Sequence, residues 1–306
     1  MSPPDPLPAD RRLARIHAAL ETTPAFAVPH GDHLRTIDAG HLRPRELAPL
    51  IIDLIDPQHS LLLLVIEGFL GPEHRRHLRD ALAPRTTREH ASVRDLTMLD
   101  APTYFQLRDA PGLRRRYFDH APRARRELAA WSDPHCSPFE RVFEWLGHSW
   151  PGGTQIATEG PAQPTMVPFS VRNWRQGAGC VGMHVDQLRF DAEHELPITR
   201  RQAGQLSWNV VLETSTAGHG GETVMHDLGI NAKQEWQRRL RDRSDHELGP
   251  DQAAEACRYH CPPGSLNLLA SNVVHRTTPA LDRHRLTVSG FAAIPNHPHV
   301  PIALWS

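Results

Sequence analysis

His184 and Asp186 stand two apart in "GMHVDQ" (182–187), a run that reads as an extended strand. Side chains alternate along a strand, so this spacing aims an imidazole and a carboxylate at one face, about 7 Å apart along the backbone. Such a pair can give two ligands to one metal ion. A third must arrive from elsewhere, and His275 in "SNVVHRTTPA", on another predicted strand, is the best candidate. The chain carries 21 histidines, and a second His-x-Asp, His30-Gly31-Asp32, lies in a proline- and glycine-flanked loop without strand pattern. The pair at 184 and 186 therefore takes its meaning only from what surrounds it.

Two imidazoles and one carboxylate make the facial triad of non-heme Fe(II) sites, which leaves coordination positions open for co-substrate and O2. Ten residues after His275 comes Arg285, in "RLTVSGF". On a strand, Arg285, Thr287 and Ser289 share a face, so a fork-shaped permanent cation and two hydroxyls point together. That group suits the distal carboxylate of 2-oxoglutarate. Arg283 has the same parity and is the rival anchor; Arg285 is preferred because the aromatic Phe291 follows it. Asn209, between Trp208 and Val210, is an unusual polar residue in an apolar run and is a candidate contact to co-substrate or substrate. Arg172 and Arg189 bracket the His-x-Asp run and could meet an anionic substrate, although arginines are abundant throughout. His219 and His226 flank a Gly-Gly-Glu-Thr turn and read first as solvated turn residues. Cys257 and Cys261, with His260 between them, lack the second pair that a zinc site needs and read as structural.

The elements that must position these residues fall in the second half of the chain. From about residue 165 onward, short β-rich runs are separated by Gly, Pro, Asn and Asp, the pattern of a sandwich or closed double-sheet barrel. One segment, 231–256, is charged and helical in texture and is read as an insertion and a candidate lid. Earlier, "ADRRLARIHAALETT", "RPRELAPLIIDLID" and the run after Pro72 have helical spacing, residues 108–147 read as mostly helical, and "LLLLVIEGF" (61–69) reads as a buried strand. The 306 residues are 39% hydrophobic, enough for a sizeable core, and the formal net charge of −1 gives no bulk attraction to nucleic acid or an anionic membrane. No apolar run is long enough to span a bilayer. The N-terminus has no signal-like apolar region, and four cysteines do not suggest a disulfide scaffold. The expectation is a cytoplasmic globular protein of undetermined oligomeric state.

Taken in order, these pieces resemble the prolyl-hydroxylase-like branch of the Fe(II)/2-oxoglutarate oxygenases. "LLLLVIEGFLGPEHRRHLRDAL" is similar to the family's opening strand, Phe-Leu corner and helix. "VRNWRQGAGCVGMHVD" resembles its Tyr-x-x-Gly…His-x-Asp block, and "LSWNVVLETSTAGHGGET" its hydrophobic strand and glycine turn. "PPGSLNLLASNVVHRTTPALDRHRLTVSGF" is similar to its glycine turn, distal histidine, basic residue and terminal aromatic. The resemblance spans about residues 60–294 and is strongest over 170–291. It implies a mainly β fold with flanking helices, namely a double-stranded β-helix (jelly roll, cupin-like) over residues 61–306 behind an N-terminal helical extension, 1–60. It also implies His184, Asp186 and His275 as iron ligands and Arg285 as the co-substrate's anchor. Trp174 stands where the family often has a tyrosine that hydrogen-bonds 2-oxoglutarate; an indole N–H donates but cannot accept. The Asp186–His275 gap is long, and the first 60 residues match nothing in the pattern.

The activity implied is a 2-oxoglutarate-dependent dioxygenase using Fe(II), 2-oxoglutarate and O2, with ascorbate as an external reductant. It would hydroxylate an unactivated C–H of a small molecule such as a free amino acid or a biosynthetic natural-product intermediate. Asp186 argues against a halogenase, in which related proteins have a small residue at that place. Two alternatives stay open: a prolyl-type hydroxylase acting on peptides or proteins, and a non-catalytic jelly-roll binding protein. The second of these requires that His184, Asp186 and His275 fail to converge.

Overall fold

The run Gln202–Glu213 shows how the main sheet is built. Leu206, Trp208, Val210 and Leu212 point one way and are fully buried against helices. Ser207, Asn209 and Val211 point the other way, so a stretch that looks uniformly apolar is in fact two-sided. The structure is a computed structural model that describes residues 8–90, 95–99, 102–109, 111–132, 137–160, 164–178, 182–191, 196–240, 248–249 and 251–306.

In chain order the strands are β1 Ala25–Ala27, β2 Leu34–Asp38, β3 Leu63–Glu67, β4 Arg88–Glu89, β5 Leu96–Met98, β6 Thr154–Ile156 and β7 Ser170–Trp174. They continue as β8 Gln202–Glu213, β9 Thr223–Ile230, β10 Glu255–Tyr259, β11 Leu266–Ala270, β12 Val273–Thr277, β13 Arg285–Pro295 and β14 Ile302–Trp305. The larger sheet has the order β2-β3-β11-β8-β13-β7-β5-β4, with β14 joining β13 to β6. In the smaller sheet β9 pairs with β1, β10 and β12. An apolar cluster containing Leu63, Val65, Val211, Leu269 and Met225 joins the two sheets face to face, which gives a jelly-roll-like core. Every residue of β13 is buried, because strands flank it on both sides and its two faces meet the helices and the smaller sheet.

Helices Ala9–Thr22, Pro44–Ile55, Pro72–Leu82, Arg114–Trp131 and Pro138–Ser149 cover the outer face of the larger sheet. Three of them begin on a proline, whose missing N–H costs nothing at the first helical position. Among the described residues no helix is long and apolar enough to cross a membrane.

The structure departs from the sequence reading in three places. Within residues 1–60, the structure has helices Ala9–Thr22 and Pro44–Ile55, but β1 adds to the smaller sheet and β2 pairs parallel with β3. Ion pairs from Arg12 to Asp53 (2.7 Å) and Asp56 (2.8 Å) tie the first helix to the second. The His-x-Asp run forms no regular strand; it is an extended edge segment that meets β12 through a single bridge between His184 and His275. In 231–256 the helix covers Lys233–Leu240, residues 241–247 and 250 lie outside the described residues, and the last two residues begin β10. Trp236, Leu240, Leu248 and Ala253 of this segment pack on Met183, Val185 and Val274. Those are the residues between and beside the ligand candidates, so the described part of the segment backs the His-x-Asp run from outside.

Candidate metal centre and its cavity

The backbone fixes the three ligand candidates. The N–H of His184 donates to the carbonyl of His275 (3.0 Å), and the N–H of His275 donates back (2.9 Å). Asp186 N–H donates to Ser271 O (2.9 Å), and Gln205 Nε2 donates to Asp186 O (2.9 Å). Alternation in the extended segment and in β12 then turns all three side chains into the space between the sheets. Their ligand atoms lie within 4.8 Å of one another. The arrangement that the non-catalytic reading required, with the three apart, is therefore not the one the protein adopts.

The side-chain chemistry suits a cation. Nδ1 of His184 faces Gly182 O at 2.7 Å, and Nδ1 of His275 faces Val273 O at 2.8 Å. With Nδ1 donating to a carbonyl, the lone pair of each ring sits on Nε2, the atom that points inward. Those Nε2 atoms stand 3.8 Å and 3.4 Å from Asp186 Oδ2. Donors about 2.1 Å from a shared ion sit about 3 Å apart when cis, so small side-chain movements suffice. Ser207 Oγ donates to Asp186 Oδ2 (3.4 Å) and bonds Ser271 Oγ (3.0 Å), which restrains the carboxylate from behind. Burial, then the neighbouring His275, pushes His184 down to about 4 despite the opposing pull of Asp186, so its imidazole is neutral at physiological pH. Burial would raise Asp186, but His184, His275 and Arg172 together hold it well below the usual carboxylate range. A neutral imidazole and an ionised carboxylate are the protonation states that bind metal.

Beside the ligands lies an open cavity; the atom-free space in it, together with the solvent at its mouth, is about 630 Å³. The larger sheet lines it with Arg172 and Trp174 from β7, Ser207 and Asn209 from β8, and Arg285, Ser289 and Phe291 from β13. The smaller sheet contributes Thr223, His275 and Thr277. In register, Arg285 faces Trp174, Thr287 faces Arg172, and Ser289 lies between Ser170 and Asn209. Arg285 is nearly buried, whereas Arg283 is exposed and outside the cavity. Thr287 is fully buried beneath the lining; its hydroxyl has no hydrogen-bond partner among the described residues.

Several other candidates fall elsewhere. His226 is buried on the opposite face of β9 with Nδ1 against Ala253 O and Ala254 O, and His219 is exposed. Arg189 pairs with Glu21 (3.2 Å), away from the cavity. Arg172, by contrast, enters the cavity because it shares the inward parity of Ser170 and Trp174. That parity was visible in "SVRNW". Ser207, Thr223 and Thr277 were missed, since small hydroxyl residues in strands carry no signal of their own.

No protein-family model matches the sequence, and no curated protein matches it at a significant level. Solved structures do share its fold. An N-substituted L-amino acid dioxygenase from Burkholderia ambifaria AMMD superposes with a TM-score of 0.55 at 15% identity, covering 80% of this chain and 87% of that one. The same kind of enzyme in complex with α-KG (2-oxoglutarate) gives 0.55 at 14% identity, over 81% and 87%.

Proposed function

We propose that the chain is an Fe(II)/2-oxoglutarate-dependent dioxygenase that oxidises an unactivated C–H of a small molecule, with an N-substituted or free amino acid as the substrate class. One observation carries this reading: His184, Asp186 and His275 converge at one point of a cavity that also holds the buried guanidinium of Arg285. A metal chelate and a fixed cation in one pocket match the two ends of a 2-oxo dicarboxylate. The double-stranded β-helix topology and the kinship to the prolyl-hydroxylase-like branch belong to the same proposal. The fold shared with amino acid dioxygenases, one of them holding α-KG, supports it.

In this reading His184, Asp186 and His275 hold Fe(II), which supplies oxidative decarboxylation of 2-oxoglutarate by O2 and the oxidising power for the C–H bond. Arg285 fixes the distal carboxylate, with Ser289 as a further donor and Trp174 closing the wall beside it. Asn209, next to Ser207 on the cavity floor, orients co-substrate or substrate. The cavity walls would hold a substrate C–H beside the three ligand residues, so that positioning rather than side-chain reactivity selects the bond. Hydroxylation is the expected outcome. The test is a screen for succinate release from 2-oxoglutarate across N-substituted and free L-amino acids. At least one substrate should give Fe(II)-dependent turnover, and His184→Ala should abolish it without loss of circular dichroism. Undiminished turnover in that variant would refute the assignment.

A further inference from the structure

We propose that Arg172 forms a second anion subsite in this cavity, one that takes a carboxylate of the substrate and selects acids over neutral analogues. The inference rests on the proposed function above and adds to it the residue that recognises the substrate's carboxylate. Arg172 lies on β7 with its side chain in the cavity, opposite Thr287 in register and two pairs along from Arg285 and Trp174. Its Nε donates to Ser170 Oγ (3.2 Å), which in turn contacts Ser289 Oγ (3.2 Å). Ser170 therefore orients the guanidinium through Nε and leaves the two terminal nitrogens to face a ligand. Arg is suited to that task because its fork matches a carboxylate in bidentate fashion.

Charge balance points the same way. Among the described residues, the cavity lining carries two permanent positive charges, Arg172 and Arg285, against one carboxylate, Asp186. A divalent ion and a dicarboxylate cancel each other, so the loaded pocket keeps one surplus positive charge. Burial of that charge is costly unless a further anion meets it. The dicarboxylate cannot serve, since one of its ends is taken at the metal and the other at Arg285. Arg172 lines the same cavity as His184, Asp186 and His275, so an anion it holds lies in the cavity of the reacting centre.

The experiment is anaerobic calorimetry on the full chain loaded with Fe(II) and 2-oxoglutarate. The probes are N-acetyl-L-amino acids, each paired with its neutral α-carboxamide. The wild type should bind at least one acid about tenfold or more tightly than its amide. Arg172→Gln should erase that preference while 2-oxoglutarate affinity stays within about threefold, and Arg189→Gln, outside the cavity, should change neither. The inference is overturned if no acid is preferred over its amide. It is overturned equally if Arg172→Gln weakens 2-oxoglutarate as Arg285→Gln does and spares the acid preference. Absence of Fe(II)-dependent 2-oxoglutarate binding in the wild type would instead refute the underlying function, so the two failures are distinct.

Discussion

Replacing Arg285 with glutamine removes the cation proposed to hold the far end of 2-oxoglutarate while keeping a side chain of similar length and polarity. Arg285 is only 7% exposed, so solvent screens its interactions weakly. A charge-assisted hydrogen bond of this kind is worth about 1.5–3 kcal/mol, which corresponds to a loss of roughly 10- to 150-fold in 2-oxoglutarate affinity. The fold should tolerate the change on electrostatic grounds. Arg172 and Arg285 repel each other, and burial together with that repulsion already lowers Arg172 against the opposing pull of Asp186. The assay is anaerobic calorimetric titration of 2-oxoglutarate into Fe(II)-loaded protein, with Fe(II) affinity and circular dichroism as controls. Both controls should stay close to wild type while 2-oxoglutarate weakens. An Arg285→Gln protein that binds 2-oxoglutarate within about twofold of wild type would refute the reasoning. Arg283→Gln should leave the affinity unchanged, since that side chain is exposed outside the cavity.

Other perturbations reach other parts of the account. Asp186→Asn keeps the main-chain bonds to Ser271 and Gln205 but removes the ligand charge. Fe(II) affinity should fall by at least about a hundredfold with the fold intact; affinity within a few-fold of wild type would count against the site. Gly290→Ala would place a methyl group 2.7 Å from the Trp208 ring. It should destabilise by about 1–3 kcal/mol in urea unfolding, and an unchanged midpoint would contradict that packing. Burial, aided by Glu255, pushes the half-buried Cys257 thiol up to about 11. Because the value is raised, the thiol stays protonated at pH 8, with about one in a thousand molecules as thiolate. Mass-mapped alkylation of Cys257 should thus be slow at pH 8 and accelerate as pH rises toward 11; alkylation at the rate of a free thiol would contradict this.

Much of the site was legible because β-strand parity is a strict rule. His275, Arg285, Ser289 and Asn209 each sit on a strand of the expected kind, and their residue types are chemically distinctive. Asp186 and His184 were legible for a different reason: an extended edge segment aims alternate side chains as a strand does, even with one bridge to its neighbour. Strands β1, β4, β6 and β14 were not legible, since two to four residues carry no period and their pairing is decided by tertiary contacts. The entry of Arg172 into the cavity could be read from the parity of Ser170 and Trp174. In a sequence rich in arginine, however, residue type gave no reason to prefer it over Arg189, which pairs with Glu21 away from the cavity. The position of 231–256 behind the ligand segment depends on which face of Met183 and Val185 is left uncovered. That is a property of the packed sheets rather than of the segment itself.

In the proposed function one cavity binds a metal and 2-oxoglutarate together. Anaerobic titration of 2-oxoglutarate into the protein with and without Fe(II) tests it most directly. One equivalent of 2-oxoglutarate should bind per chain when Fe(II) is present, with binding abolished or strongly weakened without it and in His184→Ala. No binding, or binding indifferent to Fe(II) and to His184, would contradict it.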